Sequence, residues 1–127
     1  MPVLVEPDTP TVDSLLKAMP PGSHGVSNAD RMRAWLDQHP DEYVVVLGPD
    51  LDLDDALKIA EDLRGSRPTI SVVLVVTSLD TQVLTRAMKA GARDVVQSDD
   101  LAAVSDAIRQ AHQLFVALRG PAGARSV

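Results

Sequence analysis

The sequence of 127 residues contains no cysteine, which excludes disulfide bonds and thiolate chemistry and leads us to expect an intracellular setting. Aromatic residues are also scarce, since Trp35, Tyr43 and Phe115 are the only three. No apolar run is long enough to span a bilayer, and no charged segment followed by an apolar one opens the chain as a leader would. We therefore predict a cytoplasmic protein whose interior is built from aliphatic side chains and methionine.

The chain also lacks an excess of positive charge. Its net charge is −6 at pH 7, and it has no basic stripe that could neutralise phosphate groups, which argues against nucleic acid or anionic membranes as partners. The apolar content of 45% is enough for one globular domain with its own core. We expect the partner to be another protein, and we predict no cofactor.

The clearest local pattern is a strand, a polar turn and a helix between residues 41 and 63. Residues 43–47 form an unbroken apolar run rich in β-branched residues, typical of a strand covered on both faces, and Gly48 and Pro49 end it. A helix with regularly spaced apolar residues follows, with Asp52 placed to cap it. In open parallel sheets, function lies just beyond the carboxyl ends of the strands, so this turn is the first place to look for it.

Similar patterns recur along the whole chain. The five predicted strands, of which the second is the weakest, span residues 3–5, 23–27, 43–47, 69–76 and 94–97. A helix is predicted after each strand, with Ser27 or Asn28 capping the second and Asp80 the fourth. Gly65 and Gly91 are predicted to end the third and fourth helices. Strands that alternate with helices predict an α/β fold with a five-stranded parallel sheet in the flavodoxin-like order 2-1-3-4-5.

The last two helices carry apolar stripes that should face the interior. On the fourth helix the stripe includes Leu84 and Met88, and on the fifth it begins at Leu101. Some apolar residues of the fifth helix lie outside its stripe, a sign of contact with a second copy or a following domain: Leu114, Val116 and Ala117. We predict one domain over residues 1–118 and a linker or tail over residues 119–127, leading towards an absent downstream domain.

Two levels of resemblance to known families can be read from the sequence. The segment AMKAGARDVV, residues 87–96, resembles the fourth helix and fifth strand of the receiver domains of bacterial response regulators, and this resemblance extends over residues 3–118. The segments VVVLGPDLDLDDALKIAEDLR and LDTQVLTRAMKAGARDVVQSDDLAAVSDAIR resemble, more narrowly, the N-terminal domain of the TadZ/CpaE family of pilus-assembly proteins. In that family an atypical receiver domain precedes a MinD/ParA-like ATPase.

The resemblance implies a CheY-like receiver fold, and it allows the phosphotransfer residues to be checked one by one. An active receiver needs an aspartate that accepts the phosphoryl group, oxygen ligands for Mg²⁺, a hydroxyl and a lysine. The matching positions are Gly48 for the aspartate, Glu6 and Pro7 for the acidic pair, Thr77 for the hydroxyl, and Ser98 or Gln97 for the lysine. Only the hydroxyl survives in full. We therefore predict a pseudo-receiver that is not an enzyme, holds no metal and is not phosphorylated at this position.

Acidic residues in the same turn offer an alternative. Together with Glu6, the residues Asp50, Asp52, Asp54 and Asp55 could form a weak divalent-metal site or a displaced phosphoacceptor site. A purely structural role explains most of them, because Asp52 can cap the helix while Asp54 and Asp55 complement its dipole. We favour the structural role, because residues that alternate around a helix do not converge on one ion.

The histidines and the tryptophan do not suggest a ligand site. His24, His39 and His112 lie far apart in the sequence without the spacing of metal ligands, so metal binding by them is not expected. We interpret His39 and His112 as ordinary surface residues. Trp35 is interpreted as a core residue, because it lies next to Leu36 on the apolar side of the second helix.

Three functions from different classes follow from these patterns. The favoured one is a non-catalytic module for protein interaction, dimerisation and localisation in a Flp/Tad-type pilus-assembly ATPase, placed at a cell pole through its partners. The alternatives are a receiver phosphorylated at a displaced residue, Asp50, and a small-molecule or nucleotide binder, which the fold permits and no motif supports. The resemblance also implies a weak homodimer through the fourth helix, fifth strand and fifth helix, and a contact with the downstream ATPase. The charged residues predicted at that interface are Arg86, Lys89, Arg93, Asp94, Asp106 and Arg109.

Overall fold

Five strands alternate with five helices in the structure, a computed structural model that describes the backbone of residues 2–125 and the side chains of residues 2–117. In chain order the elements are β1 (Val3–Val5), α1 (Thr9–Leu16), β2 (His24–Val26), α2 (Ala29–Gln38), β3 (Val44–Leu47), α3 (Leu53–Ser66), β4 (Ser71–Val76), α4 (Thr81–Lys89), β5 (Asp94–Gln97) and α5 (Leu101–Arg125). None of these five helices combines the length and the apolar character that crossing a lipid bilayer requires.

All five strands pair in parallel in the order β2-β1-β3-β4-β5, which confirms the predicted sheet. The second strand, the weakest of the predictions, is present in shortened form. The register pairs Val5 with both Val26 and Leu47, and Leu47 in turn pairs with Leu74. The carboxyl ends of β1 and β3 therefore lie side by side, which brings the residues that follow them into contact.

Alternate residues of each strand build two separate cores, as the period of two in a strand requires. In the central strand β3, Val45 and Leu47 pack with α2, α3 and α4, while Val44 and Val46 pack on the opposite face with α1 and α5. All four are fully buried. A sheet covered by helices on both faces explains why this strand is an unbroken apolar run.

Several helix ends are fixed by the residues predicted to fix them. Asn28 accepts a hydrogen bond from the Arg31 amide and caps α2, and Asp80 caps α4 in the same way. Gly91 has a φ of 98°, and α4 ends there in a Schellman motif, because the Gly91 and Ala92 amides donate to the carbonyls of Met88 and Ala87. A residue with a Cβ would be strained in this left-handed conformation.

Other predicted boundaries differ from the structure. Gly65 does not end α3, which continues to Ser66; the helix stops at Arg67 because a residue that precedes a proline resists the helical conformation. β4 begins at Ser71, two residues later than predicted. α5 continues through Arg125, so the segment 119–125 predicted as a linker or tail is helical. Its role as a connection to another domain stays a prediction.

Candidate functional site

The residues predicted to form the site follow the carboxyl ends of four neighbouring strands. Backbone hydrogen bonds extend the sheet by one residue at three of these ends: the Gly48 amide donates to Val5 O at 2.8 Å, the Glu6 amide to Val26 O at 2.9 Å, and the Ser98 amide to Val76 O at 2.8 Å. Thr77, which follows β4, is exposed. The fold thus places the positions matched to receiver chemistry at one edge of the sheet.

Glu6 is the central residue of this edge. Its side chain is only 1% exposed, and its carboxylate accepts two backbone hydrogen bonds. Oε1 accepts from the Asp50 amide at 3.0 Å, and Oε2 accepts from the Asp8 amide at 2.8 Å. A buried carboxylate is costly unless such donors satisfy it. Glu6 therefore ties the loop after β1 to the loop after β3.

Gly48 faces this carboxylate directly. A Cβ built on Gly48 would collide with Glu6 Oε1 and would lie only 2.9 Å from Glu6 Cβ. The space in which an aspartate at position 48 would place its side chain is therefore already filled by Glu6. The packing of the buried Glu6 side chain therefore requires a residue without a Cβ at position 48.

The exposed side chains of Asp8 and Asp50 lie next to Glu6 on the solvent side. These three residues are called the carboxylate cluster below. The Thr11 hydroxyl lies 2.7 Å from Asp8 Oδ2 and 2.8 Å from Asp50 Oδ2. The hydroxyl has one proton and can donate to only one of the two carboxylates at a time. Thr11 therefore lies between the loop after β1 and the loop after β3 and contacts both.

The pKa of Glu6 reflects its burial and its neighbours. Burial raises the pKa of Glu6 above its ordinary value of 4.5, while the amides of Asp50 and Asp8 lower it in part. A side-chain hydrogen bond and charge repulsion from Asp50 raise the pKa further. Burial thus stabilises the protonated form of Glu6 relative to a glutamate in water, whereas phosphotransfer requires carboxylates that are ionised and open to a metal ion.

The remaining acidic residues of the turn do not converge on this cluster. Asp52 occupies the N-cap position of α3, but its side chain makes no capping hydrogen bond, so the predicted cap is wrong in this respect. Asp54 pairs with Arg86 of α4, and Asp55 is exposed in the first turn of α3. Among the side chains that the structure describes, no three acidic or histidine residues form a group that could hold a metal ion.

Ser98 and Thr77 bring no positive charge to the edge. Ser98 is half-buried after β5 and supplies a hydroxyl where an active receiver has a lysine. The neighbouring Gln97 donates to the Asp99 carboxylate at 3.3 Å. The phosphoryl-binding lysine therefore has no counterpart at either position that the sequence offered for it.

The charged residues predicted for a dimer interface are spread over several faces. Arg86 points to α3, where it pairs with Asp54, and Lys89 lies beside α3 as well. Arg109 pairs with Asp106 one turn away on α5, at 2.9 Å. Of the remaining two, Arg93 is exposed, while Asp94 is half-buried and accepts a hydrogen bond from the Val95 amide.

Apolar side chains mark the same region more clearly than the charged ones. Leu84 and Met88 were predicted to be interior, but they are 41% and 51% exposed, and Leu101 is 41% exposed. Leu84 and Met88 lie one turn apart on the side of α4 opposite to Arg86, hence on the side turned away from α3. α4 packs on β5, and β5 is an edge strand, so in the described part of the chain no further strand continues the sheet beyond α4. The prediction failed because helical spacing shows that a stripe is apolar but does not show what covers it.

Residues 114–117 of α5 follow the prediction in part. Val116 is 46% exposed and Ala117 is exposed, whereas Leu114 is half-buried. Phe115 packs against Tyr43, with ring centroids 5.3 Å apart.

An aromatic stack at the opposite edge was missed from the sequence. Trp35 is half-buried and sandwiched between His24 and His39, with ring centroids 4.1 and 3.7 Å away and nearly parallel planes. The contact with His39, four residues further along the chain at the C-cap of α2, could have been predicted from helical spacing. The contact with His24 could not, because it depends on the pairing of β2 with β1.

Comparisons with solved structures identify the fold. The signal receiver domain of an HD domain-containing protein from Pseudomonas fluorescens matches with a TM-score of 0.74 at 15% identity, covering 91% of this chain and 96% of that one. A pilus assembly-related protein from Burkholderia pseudomallei matches with a TM-score of 0.72 at 21% identity, covering 89% of each chain. The pilus assembly protein CpaE from Burkholderia thailandensis matches with a TM-score of 0.70 at 20% identity, covering 88% and 97%.

These likenesses show that the chain has the CheY-like receiver fold, which response regulators and pilus assembly proteins share among its structural neighbours. No protein-family model matches the chain, and no curated protein matches it significantly.

Proposed function

We propose that this chain is a pseudo-receiver: a domain with the receiver fold that performs no phosphotransfer and acts through its surfaces. The observation that carries the proposal is the contact between Glu6 and Gly48. Glu6 is buried, holds two backbone amides and fills the space that a phosphoacceptor side chain would need. An incoming phosphoryl group would find neither an open carboxylate at position 48 nor a lysine at Ser98 to neutralise its charge.

We propose further that the domain serves a Flp/Tad-type pilus assembly of the TadZ/CpaE kind. The likeness to two pilus assembly proteins supports this role, as does the sequence resemblance of residues 44–64 and 79–109. In this role the domain is a protein-interaction, dimerisation and localisation module, which precedes a MinD/ParA-like ATPase and reaches a cell pole through its partners.

The surface that best suits self-association in this proposal is the one around β5. Leu84 and Met88 of α4 and Leu101 of α5 offer exposed apolar side chains there. The charged residues add orientation more than affinity, since exposed ion pairs contribute only about 0–1 kcal/mol each. The dimer of the isolated domain should therefore be weak, and the ATPase should raise its apparent affinity by holding two copies together.

Phosphorylation by acetyl phosphate in the presence of Mg²⁺ tests the non-catalytic part of the proposal. We expect the intact mass of the chain to stay unchanged, because the carboxylate cluster binds its own amides and offers no metal site. A stoichiometric phosphoryl adduct that is lost in Asp50→Asn and retained in Asp13→Asn would instead establish the displaced acceptor. Asp13 is a matched control, because it is an exposed aspartate in α1.

Thermal unfolding with nucleotides and flavins tests the small-molecule alternative. A pseudo-receiver should show the same midpoint with and without each compound. A clear rise of the midpoint with one of them would favour a ligand-binding function, because a ligand that binds only the folded state stabilises it.

A further inference from the structure

A cleft opens between the first turns of α3 and α4, and it adjoins the carboxylate cluster, since Gly48 and Thr77 both line it. Its volume is about 150 Å³, and a cavity of roughly this size in another protein binds benzene. One leucine-sized or phenyl side chain therefore matches its capacity. Its walls are mainly apolar and include Pro49, Leu51, Leu53, Leu74, Val76 and Val83.

The walls of this cleft are only partly covered by the domain itself. Leu51, Leu53 and Val83 are half-buried, so apolar surface at the mouth remains in contact with water. Thr77 and Ser78 line the cleft too, and both are exposed. An apolar hole with a polar rim is the form taken by pockets that receive one anchoring side chain of a partner.

The segments that build the cleft are strongly acidic. Residues 48–56 and 74–86 contain five aspartates and a single cation, Arg86. That cation is already paired with Asp54. Asp52 sits at the start of α3 with no capping hydrogen bond from its side chain, which leaves its exposed charge uncommitted next to Leu53.

We propose that this cleft docks a single large apolar side chain carried by a basic segment of a partner protein. The volume and the apolar walls select the anchor, and the aspartates of the two segments, which lie outside the lining of the cleft, select lysine or arginine residues on either side of it. A second copy of this chain fits less well, because each copy has a net charge of −6 and the mouth would meet a like charge. The proposal is independent of self-association at β5.

A peptide titration followed by two-dimensional amide NMR of the ¹⁵N-labelled chain tests the proposal. Three capped pentapeptides are compared: leucine between two Lys-Arg pairs, serine in the same frame, and leucine between two pairs of glutamates. We expect the basic leucine peptide to shift the amides of residues 51–53, 77–78 and 83. The other two peptides should bind at least about tenfold more weakly, since each lacks one of the two determinants.

Two variants with matched controls connect the binding to the cleft. Val83→Phe should fill the cavity and weaken the basic leucine peptide about tenfold, while Val12→Phe, at a half-buried position of α1, should not. Asp52→Asn should weaken the same peptide several-fold, by roughly 0.5–1 kcal/mol, without loss of a helix cap, while Asp13→Asn should have no effect. Thermal unfolding of each variant checks that it is folded.

Four results would overturn the proposal. Equal binding of the leucine and serine peptides would exclude an apolar anchor, and equal binding of the acidic peptide would exclude charge selection. Shifts confined to α5 and β5 would place the peptide elsewhere. Saturation by benzene with no response to any peptide would make the cleft a small-molecule pocket.

Discussion

The carboxylate cluster and the surface beside β5 differ in how far their side chains have partners within the domain. At the cluster, a polar side chain is 1% exposed and both its oxygens have backbone partners inside the domain. Beside β5, Leu84, Met88 and Leu101 are left 41–51% exposed, although apolar surface of this kind is stabilised by being covered. In the first region the polar side chain has its hydrogen-bond donors inside the domain. In the second region the apolar side chains are not covered by the domain.

This contrast indicates where the domain can still act on other molecules. In an active receiver the edge of the sheet must stay open to a metal ion and a phosphoryl donor. Here Glu6 fills the space beside Gly48 at that edge and joins two loops. The uncovered apolar side chains are then the better candidates for function. The predictions below test both halves of this comparison, beginning with the largest expected effect.

Gly48→Asp should be the most destabilising single change at the edge of the sheet where Glu6 and Gly48 lie. Its side chain would overlap Glu6 and add a further carboxylate to a buried cluster, so we expect a loss of about 3 kcal/mol or more in the free energy of unfolding. Urea denaturation measures this loss, and acetyl phosphate with Mg²⁺ should still give no phosphorylation.

The double variant Glu6→Ala with Gly48→Asp provides the control. If the two positions compete for one space, the two losses should fall short of adding by roughly 1–3 kcal/mol. Losses that add fully would mean that the positions are independent, and rapid phosphorylation of Gly48→Asp alone would mean that the edge is still open.

Glu6→Ala tests the joint between the two loops. It removes the acceptor of the Asp8 and Asp50 amides, and each lost hydrogen bond should cost about 0.5–1.5 kcal/mol, so the chain should lose about 1–3 kcal/mol of stability. Glu61→Ala, at an exposed position of α3, should change stability by less than about 0.5 kcal/mol. Equal effects of the two substitutions in urea denaturation would show that the joint contributes nothing.

Met88→Glu tests the exposed half of the comparison. A charge in the apolar patch should weaken self-association about tenfold or more, measured by sedimentation equilibrium of the isolated chain. Arg93→Glu, which reverses a charge predicted at this interface, should weaken it by less. Gln38→Glu, on the exposed face of α2, adds the same charge far from β5 and should change nothing. A monomer at every accessible concentration would exclude the dimer.

The smallest expected effect is a dependence of stability on pH through Glu6. Burial raises its pKa above 4.5, so the folded chain holds this proton more tightly than the unfolded chain does. The contribution of Glu6 to the free energy of unfolding is therefore complete below about pH 4.5 and declines as pH rises through the raised pKa.

Glu6→Gln provides the comparison, because it cannot ionise. The stability of the natural chain relative to this variant should fall as pH rises above about 4.5, as measured by denaturation midpoints, whereas Glu61→Gln should show no such trend. A relative stability that rises over the same range would mean that Glu6 is ionised in the folded state.

Much of the fold could be predicted because it depends on local patterns. The apolar runs gave the strands, their alternation with helices gave the parallel order, and the polar residues Asn28 and Asp80 marked two helix starts. The ends of elements depend on more than these patterns. Gly65 is predicted to end α3, whereas the proline after Arg67 ends it.

The site could be predicted only as a set of positions. The sequence shows that Gly48 has no carboxylate, but that Glu6 fills the missing volume depends on the pairing of Val5 with Leu47, which sets two distant loops side by side. The exposure of Leu84 and Met88 depends likewise on β5 being an edge strand. Both facts depend on which residues lie opposite one another in the folded chain. Helical or strand spacing in the sequence does not show this.

The turn that ends α4 also bears on how the domain can signal. The Arg64 side chain lies across Gly91 and donates to the Lys89 carbonyl at 3.0 Å, which joins the last turn of α3 to the last turn of α4. The pair between Asp54 and Arg86 joins the same helices about one turn earlier along α4. A movement of α4 relative to α3 would break both links. The two contacts therefore bias α4 towards the position in which a partner would meet it.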